Sequence, residues 1–491
     1  MGVDQVCTEY SNNQTRWKNV RDAVEGEASI KAGGTVYLPK PSGQDNEDYR
    51  AYCIRPHWFG ATGRTAEGLH GMIFAKKPIR KDIPPALEEL LKNIDRSGKD
   101  LDQFTSDLSW DVQQTNWGGI LVDFPTAPEG INKLDSGKLG LRPYAAWYNA
   151  ESVINWRKES VNNQQELTLV VLKEPYQRKI VGNEFATETK NRYRVLSFDE
   201  AGDYMQRIYD DGEVGGIANP IGEPTYPKID GKNLKRIPFF TVPGKAPEKS
   251  MLLDLAYENI GHFQKMADYE NGLHWTGVPT PYATGHNAAR DDKTGEVIPI
   301  KLGGSTFLIF PEPDAVVSYL EFEGKGLDQG EKAIQNCEER MAILGARIIS
   351  AEKKGIESAE AAKIHRAGEN AVLGAFAQNM ANTITQVIRL IGEWAGIPGS
   401  EKATYELNTD YDVAGMDSQS FAALTNARLQ GKIPETVYFW NLQHGEYTPP
   451  GMDLDQFVDE LAKEGVKHGT DGDDLTDPAG TESKNKGTQT A

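Results

Sequence analysis

Apolar side chains recur every three or four positions in three long segments of the chain, and this spacing predicts three long α-helices. The segments are residues 250–275, 327–350 and 359–396. Ser250 is placed as the N-cap of the first segment, and the apolar positions on or near one face of that segment are Leu252, Leu255, Ala256, Phe263, Ala267 and Leu273. A helix of about 25 residues is roughly 38 Å long. The first two segments therefore predict two rods of similar length.

Two interruptions separate these helices. Residues 276–326 contain the runs EVIPI, STFLIF and AVVSYLEF, which predict a small strand-rich insertion between the first two helices. Residues 350–358 read SAEKKGIES, a charged segment with Gly355 in its middle, and Ser358 is placed to cap the next helix. The pattern predicts that an exposed, charged loop breaks a long helical region.

The rest of the chain mixes helical and strand patterns. Helical spacing dominates the first hundred or so residues, and GGILVDFP, bounded by glycine and proline, predicts a short buried strand. Apolar and polar residues then alternate over about residues 150–210, which predicts an antiparallel meander. Residues 465–491 contain almost no apolar side chains and are predicted to be disordered. We therefore expect an α+β fold with a disordered tail.

The charge balance restricts what the chain can bind. The sequence has 53 basic and 72 acidic side chains and a formal net charge of −19. Because a protein that gains affinity by neutralising phosphates is usually basic, we do not expect it to bind DNA or RNA tightly over a broad surface. An acidic wall can still surround a nucleic acid without adhering to it.

The cysteines and the hydropathy of the chain indicate where it is assembled. Cys7, Cys53 and Cys337 lie far apart and are odd in number, which predicts neither a disulfide framework nor a cysteine zinc site. No run of eighteen or more apolar residues occurs, so we expect no membrane span and no membrane partner. Assembly in a cytoplasm is the simplest interpretation.

Motifs of the common enzyme classes do not occur in the sequence. None of its Gly-Lys pairs is followed by Ser or Thr, so it has no Walker-type phosphate loop, and it has no GxSxG and no kinase signature. Asp123 ends the predicted strand and, with Glu129 and Asp135, forms the nearest carboxylate grouping for a metal-dependent nucleic-acid enzyme. For Asp123 a structural role, such as pairing with a basic group, is the favoured interpretation.

The histidines are also weak candidates for chemistry. His262 and His274 flank the first long helix and His365 opens the third, each without a second ligand at metal-binding spacing. Isolated helix histidines are more often packed or surface residues than metal ligands. We expect no catalysis, no metal and no cofactor.

Four long strings resemble the portal proteins of tailed bacteriophages, of the compact kind found in some short-tailed phages. They are YRAYCIRPHWFGATGRTAEGLHGMIFAKKP, LDQFTSDLSWDVQQTNWGGILVDFP, LAYENIGHFQKMADYENGLHWTGVPTPYATG and MAILGARIISAEKKGIESAEAAKI. The resemblance runs from TVYLPKP to about FVDELAKEG, which is most of the chain. None of these strings is a catalytic motif.

The resemblance implies a portal-protein fold, α+β, with a mixed α/β wing, long stem helices, a small strand-rich clip and a short helical crown region. Carried over by position, the parts are the wing at 1–249, the first stem helix at 250–275, the clip at 276–326, the second stem helix at 327–350, the tunnel loop at 351–358, the long helix behind the channel at 359–396, a C-terminal wing or crown region at 397–464, and the tail at 465–491.

The resemblance also implies a function and partners. Portal subunits assemble into a homo-oligomeric ring, usually of twelve, at one capsid vertex of the virion. The ring conducts double-stranded DNA without sequence readout during packaging, retention and ejection. It contacts the terminase large subunit, the major capsid and scaffold proteins, and neck or tail adaptor proteins. Two alternatives stay open, another head–tail connector or adaptor component and, less favoured, the metal-dependent enzyme described above.

The tunnel loop is the candidate site that the resemblance implies. Lys353 and Lys354 would touch DNA phosphates, while Glu352 and Glu357 would keep the contact weak and exchangeable. A break at Gly355 would point the loop into the channel. Two serines, Ser350 and Ser358, flank the loop at the helix ends. Without the resemblance, the residues favour a solvated turn between two core helices.

Overall fold

The computed structural model describes residues 2–125, 140–161, 163–180, 182–210, 220–244, 246–277, 280–284, 290, 293–296, 313–320, 326–349, 359–409, 411, 418–444, 447–449 and 452–463. The chain divides into two compact units, Met1–Asp410 and Tyr411–Ala491. All the sheets lie in the first unit, and the described part of the second unit is helical. The fold class is α+β, as the sequence predicts.

In the described part of the chain, six α-helices precede the strand β2 (Gly118–Asp123) of the three-stranded sheet. They are α1 (Thr8–Glu25), α2 (Glu27–Ala32), α3 (Asn46–Ile54), α4 (Ala61–Ile73), α5 (Pro85–Leu91) and α6 (Leu101–Thr115). Local residue chemistry sets several of their ends. The side chain of Asp45 accepts the backbone N–H groups of Glu47 and Asp48 at the start of α3, and Asp100 caps α6 in the same way through Gln103. Gly26 separates α1 from α2 with a φ of 101°, a conformation that glycine adopts without strain.

The described strands form five small antiparallel sheets. The strands are β1 (Ile79–Lys81), β2 (Gly118–Asp123), β3 (Tyr144–Asn149), β4 (Val153–Val161), β5 (Gln164–Lys179), β6 (Thr187–Phe198), β7 (Tyr204–Asp210), β8 (Lys228–Ile229), β9 (Lys232–Asn233), β10 (Phe239–Val242), β11 (Thr280–Thr284), β12 (Val316–Leu320) and β13 (Thr404–Glu406). The orders are β1-β13, β10-β2-β3, β4-β5-β6-β7, β8-β9 and β11-β12. The four-stranded sheet is an antiparallel meander, as the alternation over about residues 150–210 predicts.

The central strand β2 is fully buried, as its unbroken apolar run predicts. It pairs with β10 on one side and with β3 on the other. Gly119 lies directly against the ring of Phe239 on the neighbouring strand, where even a Cβ would approach the ring to 2.1 Å. The glycine at that position therefore permits the close strand contact.

Three long helices follow β10. They are α7 (Leu253–Gly277), α8 (Leu327–Ile349) and α9 (Ala359–Trp394). The helix α7 begins three residues after Ser250, the predicted N-cap. The Ser250 hydroxyl accepts the backbone N–H of Leu252 and donates to the carbonyl of Gln113. Ser250 therefore connects the turn ahead of the helix to the end of α6.

The helix α9 packs along the three-stranded sheet and β13. Its buried side chains recur at helical spacing and are Leu373, Phe376, Ala377, Met380, Ala381, Thr383, Ile384, Val387, Ile388, Leu390, Ile391 and Trp394. Thr385 and Arg389 hydrogen-bond to backbone carbonyls of β13 and of the residue before it. The second half of α9 is therefore a core helix of the first unit.

The second unit contains α10 (Ser418–Leu429), α11 (Glu435–His444) and α12 (Leu454–Lys463). The apolar side chains of α12 lie on one face, and Phe457 packs against Phe439 of α11 with ring centroids 5.0 Å apart. Across the described ranges of both units, the helices lack the combination of length and apolar content that crossing a membrane requires. The predicted disordered tail lies outside the described residues.

Candidate functional site

The helices α7 and α8 form an antiparallel pair. Glu258 near the start of α7 accepts two hydrogen bonds from Arg340 near the end of α8, at 2.9 and 2.6 Å. At the other end of the pair, Leu327 lies against Gly272. Early positions of α7 thus contact late positions of α8 and late positions contact early ones, so the two helices run antiparallel. With 25 and 23 residues, the two helices have the similar lengths that the sequence predicts.

Small and apolar side chains of α8 face α7. Ile334, Cys337, Met341 and Gly345 are buried at spacings of three and four residues. The opposite side of α7 packs Ile260, Phe263 and Ala267 into a core cluster with residues of α2, α3 and the segment between them. The helix α7 is thus held between the helical layer and α8, so that the pair is fixed to the body of the first unit.

A buried histidine lies between the paired helices. His262 is 1% exposed, and its Nε2 lies 3.4 Å from a carboxylate oxygen of Glu338 on α8. Its Nδ1 has no hydrogen-bond partner among the described residues, and the Phe59 ring packs 5.4 Å away. Burial lowers the pKa of His262, against the opposing effect of Glu338. This histidine therefore packs between the helices as a neutral side chain.

Strands continue the helix pair at one end. After α7 the chain enters β11, which pairs antiparallel with β12, from Thr280↔Leu320 to Thr284↔Val316. The strand β12 falls within the predicted run AVVSYLEF, whereas β11 was not predicted. The other two predicted strands, EVIPI and STFLIF, lie almost wholly outside the described residues.

The opposite end of the pair leads to the candidate loop. The helix α8 is described as far as Ile349 and α9 from Ala359 onward. The predicted loop and cap residues, Ser350, Glu352, Lys353, Lys354, Gly355, Glu357 and Ser358, all lie outside the described residues. The loop therefore stays a prediction, at a place between a paired helix and a 36-residue helix.

An exposed surface of α8 carries apolar side chains. Ile343 and Leu344 are exposed on α8, although both are large and apolar. Beside them an open cleft of about 380 Å³ is lined by Trp58, Phe59, Arg64, Met341, Ala342 and Gly345, among other residues. The cleft combines an aromatic wall with the exposed guanidinium of Arg64. Such a surface is suited to contact with another chain.

Asp123 is part of a buried polar network, as its favoured structural interpretation predicts. Gln206 Nε2 donates to Asp123 Oδ1 at 2.9 Å, and Arg194 Nη1 lies 3.6 Å from Asp123 Oδ2. Tyr144 donates to the same carboxylate at 3.3 Å, and burial together with the charge of Asp123 raises the pKa of Tyr144 to about 12. The carboxylate oxygens of Asp123 are therefore occupied by protein donors.

The same network contains a second carboxylate that sequence reasoning missed. Glu174 accepts from Arg194 Nε at 2.6 Å and from the Tyr148 hydroxyl at 2.5 Å. Burial acts to lower the pKa of Arg194, but the hydrogen bond to Glu174 and the surrounding negative charge outweigh it and raise the pKa. Register between β5 and β6 places Glu174 diagonally across from Arg194. The alternating pattern alone does not supply that register.

The remaining candidates for metal chemistry are dispersed or undescribed. Glu129 and Asp135 lie outside the described residues, as does the side chain of His365. His274 packs against the neighbouring Trp275 ring with centroids 5.8 Å apart. Within the described ranges, no group of three or more His, Cys, Asp or Glu side chains could hold a metal ion.

One family model matches part of the chain. Residues 251–395 match a family described as "Domain of unknown function (DUF4055)". The matched segment contains α7, the β11-β12 ladder, α8 and α9. It therefore coincides with the helix pair, its strand-bearing end and the long helix α9. No curated protein matches this sequence.

A solved structure is similar over much of the chain at low identity. A chain of the structure titled "Neck of empty GTA particle computed with C6 symmetry" is 12% identical, and the similarity covers 83% of this chain and 95% of that one. The TM-score is 0.34. At that TM-score the similarity carries no conclusion about fold or function.

Proposed function

We propose that this chain is the subunit of a portal ring, the connector at one vertex of a tailed phage or phage-like particle. One observation carries the proposal, namely the order and pairing of its long elements. Two antiparallel helices of matched length end in a strand ladder on one side, and a 36-residue helix follows them in the chain. That order corresponds to the stem, clip and long helix of the portal proteins that the sequence resembles, and the predicted tunnel loop falls between the second stem helix and the long helix.

Ring closure requires two different patches on each subunit, because one patch must meet a different patch on the neighbour. The first unit offers such surfaces along α8. A second chain that covered the exposed Ile343 and Leu344 and the adjacent aromatic cleft would remove apolar surface from water, which favours association. In the proposed ring, of the usual twelve subunits, each α8 faces a neighbouring copy.

The acidity of the chain suits a conduit for double-stranded DNA. Each subunit has a formal charge of −19, and a ring multiplies that charge by the number of subunits. A negative bore repels the phosphate backbone and leaves no sequence-dependent grip. In this proposal Lys353 and Lys354 provide brief phosphate contacts, which Glu352 and Glu357 weaken, so that DNA slides through during packaging and ejection.

The proposed ring is a structural part without catalysis of its own. The force for packaging comes from a separate ATP-hydrolysing terminase, whose large subunit docks at the strand-bearing end of the helix pair. Neck or tail adaptors use that end later, while capsid and scaffold proteins surround the wing. A nuclease reaction at Asp123 is not favoured, because Gln206, Arg194 and Tyr144 occupy its carboxylate.

Imaging of the purified chain tests the assembly directly. We expect closed rings with a central opening in electron micrographs, and a single oligomeric species in sedimentation velocity. A chain that stays monomeric at every concentration, or rings without an opening wide enough for a duplex, would contradict the proposal.

Substitution of the loop lysines tests the DNA conduit. We expect Lys353→Glu with Lys354→Glu to leave ring assembly intact and to reduce the fraction of DNA-filled particles several-fold. A matched control exists elsewhere in the chain, because Lys76 and Lys77 are also adjacent and exposed. Their replacement by glutamate changes the charge equally and should leave DNA filling unchanged. Equal filling in both double variants would remove the loop from the mechanism.

A further inference from the structure

A two-stranded arm extends beyond the four-stranded meander. The strand β4 pairs with β5 only as far as Leu172, and the pairing of β7 with β6 begins at Arg192. Among the described residues, the pairs from Pro175↔Asn191 to Lys179↔Thr187 therefore lie past the paired parts of both neighbours. We call residues 175–191 the arm. Five residue pairs at about 3.3 Å per residue make it about 17 Å long before the turn.

Side-chain contacts stiffen the arm. At its base the Arg192 guanidinium stacks 4.1 Å from the centre of the Tyr176 ring, and the Tyr176 hydroxyl donates to Asp210 of β7 at 3.1 Å. Across the two strands, Gln177 Nε2 donates to the Thr189 hydroxyl at 2.9 Å. The arm therefore needs little ordering before it binds, which lowers the entropic cost of an association.

The turn of the arm presents apolar side chains to solvent. Phe185 is 92% exposed and Ile180 is 43% exposed. The backbone N–H of Ile180 donates to the carbonyl of Ala186, and that of Phe185 donates to the Asn183 side chain. An aromatic ring exposed to water contributes little to the fold of the arm. It has the character of an anchor residue, which gains energy only when a partner covers it.

The charges of the arm differ from those of the chain as a whole. The arm has three basic residues, Arg178, Lys179 and Lys190, and two acidic residues, Glu184 and Glu188. Glu188 lies 3.9 Å from both Arg178 and Lys190, so one carboxylate is shared by two cations. In a chain with a formal charge of −19, the arm is a net positive protrusion. It is complementary in charge to the average surface of another copy.

The edge of the arm is unsuited to pairing with a further strand. Pro175 lacks a backbone donor, and Arg178 and Lys179 place charge along the same strand. Proline and lysine on an edge strand oppose edge-to-edge addition. Docking through the side chains at the turn is therefore favoured over strand addition.

We propose that the arm is a docking element that inserts Phe185 and Ile180 into an apolar site on the acidic surface of a second copy of this chain. The choice of a second copy follows from charge complementarity between the basic arm and the acidic remainder. In the ring proposed above, on which this inference rests, the arm supplies one of the two different patches that each subunit must present.

The test compares the self-association of the full chain with that of Phe185→Ser combined with Ile180→Ser. We expect the protein concentration needed for half assembly, measured by sedimentation velocity, to rise at least about tenfold because the anchor side chains are lost. The control is Ile54→Ser, which also removes an exposed isoleucine but lies outside the arm. Circular dichroism checks that all variants keep the thermal midpoint of the parent chain.

A charge reversal adds an independent measurement. We expect the double variant Arg178→Glu with Lys179→Glu to assemble less well than the parent chain. The difference should be larger at low salt than at high salt, because salt screens the electrostatic attraction. Lys76→Glu with Lys77→Glu, at two adjacent exposed lysines outside the arm, is the matched double-charge control and should assemble like the parent chain.

The outcomes separate this inference from the proposed ring. Rings that form equally well with and without Phe185 would overturn the arm and leave the ring standing. Open oligomers that depend on Phe185 would support the arm and overturn the ring. If the Phe185→Ser, Ile180→Ser variant self-associates like the parent chain but fails to enter particles, the arm binds a different protein. The proposed docking on a second copy of this chain would then be wrong. A parent chain that never self-associates would overturn both.

Discussion

At the scale of single residues, buried polar side chains connect elements that are distant in sequence. His262 and Glu338 join α7 to α8, and Arg194 joins two carboxylates across the sheets. Such groups are costly to bury without partners. Their protonation states consequently bear on stability, and His262 offers a direct measurement.

Acidification should destabilise the helix pair through His262. Because burial lowers its pKa in the folded chain, the unfolded chain takes up a proton first as the pH falls below about 6.5. Stability therefore falls as the pH is lowered through that range, by at most about 1.4 kcal/mol per pH unit for one histidine. We expect His262→Gln to show a smaller decrease in thermal midpoint between pH 7 and pH 5.5 than the parent chain.

The surroundings of His262 define the controls for this pH measurement. Glu338 and Glu258 oppose the lowering of its pKa, while Lys265 adds to it, so all three stay unchanged in the variant. His57 is the control histidine, since its side chain is 84% exposed, and His57→Gln removes a histidine without changing the contact between the paired helices. An identical pH dependence in parent and His262→Gln chains would show that His262 is not titrated on unfolding in this range.

At the scale of elements, a close helix contact rests on one glycine. Gly345 of α8 faces α4 and α7, and a Cβ there would lie 2.7 Å from the Thr65 hydroxyl and 3.5 Å from Leu255. Thr65 is buried, and its hydroxyl donates to the carbonyl of Ala61, so it has little freedom to move aside. The absence of a side chain at this position lets α8 approach the helical layer.

We expect Gly345→Ala to lower the free energy of unfolding by about 1 kcal/mol. Alanine gains up to about 1 kcal/mol in a helix relative to glycine, but crowding in a packed site costs about 1–3 kcal/mol. Gly261→Ala in α7 is the matched control, because the added methyl would meet only the end of Lys265, at 3.7 Å. That variant should be more stable than the parent. Chemical denaturation measures the free energy of unfolding of both variants. A Gly345→Ala chain more stable than the parent would show that α8 and α4 move apart at this position at little cost.

The long helices could be predicted from the sequence because their apolar spacing persists over many turns. The predicted segments 327–350 and 359–396 differ from the observed helices by no more than two residues at either end. The strand β11 could not be predicted, since TPYAT is short and lacks alternation. It becomes a strand by pairing with β12, more than thirty residues later. Long-range pairing of this kind leaves no local pattern.

The candidate loop stays a prediction. A break between two helices follows from Gly355 and its charged neighbours, and residues 350–358 lie outside the described residues. The sequence predicts that Asp123 pairs with a basic group. It does not identify Arg194 and Glu174 as members of the network. Glu174 and Arg194 lie close together because of the register between β5 and β6. A shift of that register by one residue would move the side chains of one strand to the opposite face of the sheet.

At the scale of the whole molecule, the division into two units has a consequence for folding. All five sheets and the core cluster on α7 draw their strands and side chains from residues before 411. The second unit contains α10, α11 and α12, with Phe439 and Leu442 among its buried residues. Each unit therefore has a core of its own.

Truncation tests that independence. A chain ending at Asp410 keeps every strand and the long helices, so we expect it to retain the thermal midpoint of the first unit and, in the proposed assembly, to form rings. A chain ending at Gly374 is the contrasting control, because it loses the buried half of α9 from Phe376 to Trp394 and should not fold. Differential scanning calorimetry distinguishes the two. If the chain ending at Asp410 unfolded as readily as the control, the first unit would depend on residues beyond 410, and the long helices could not by themselves hold a ring together.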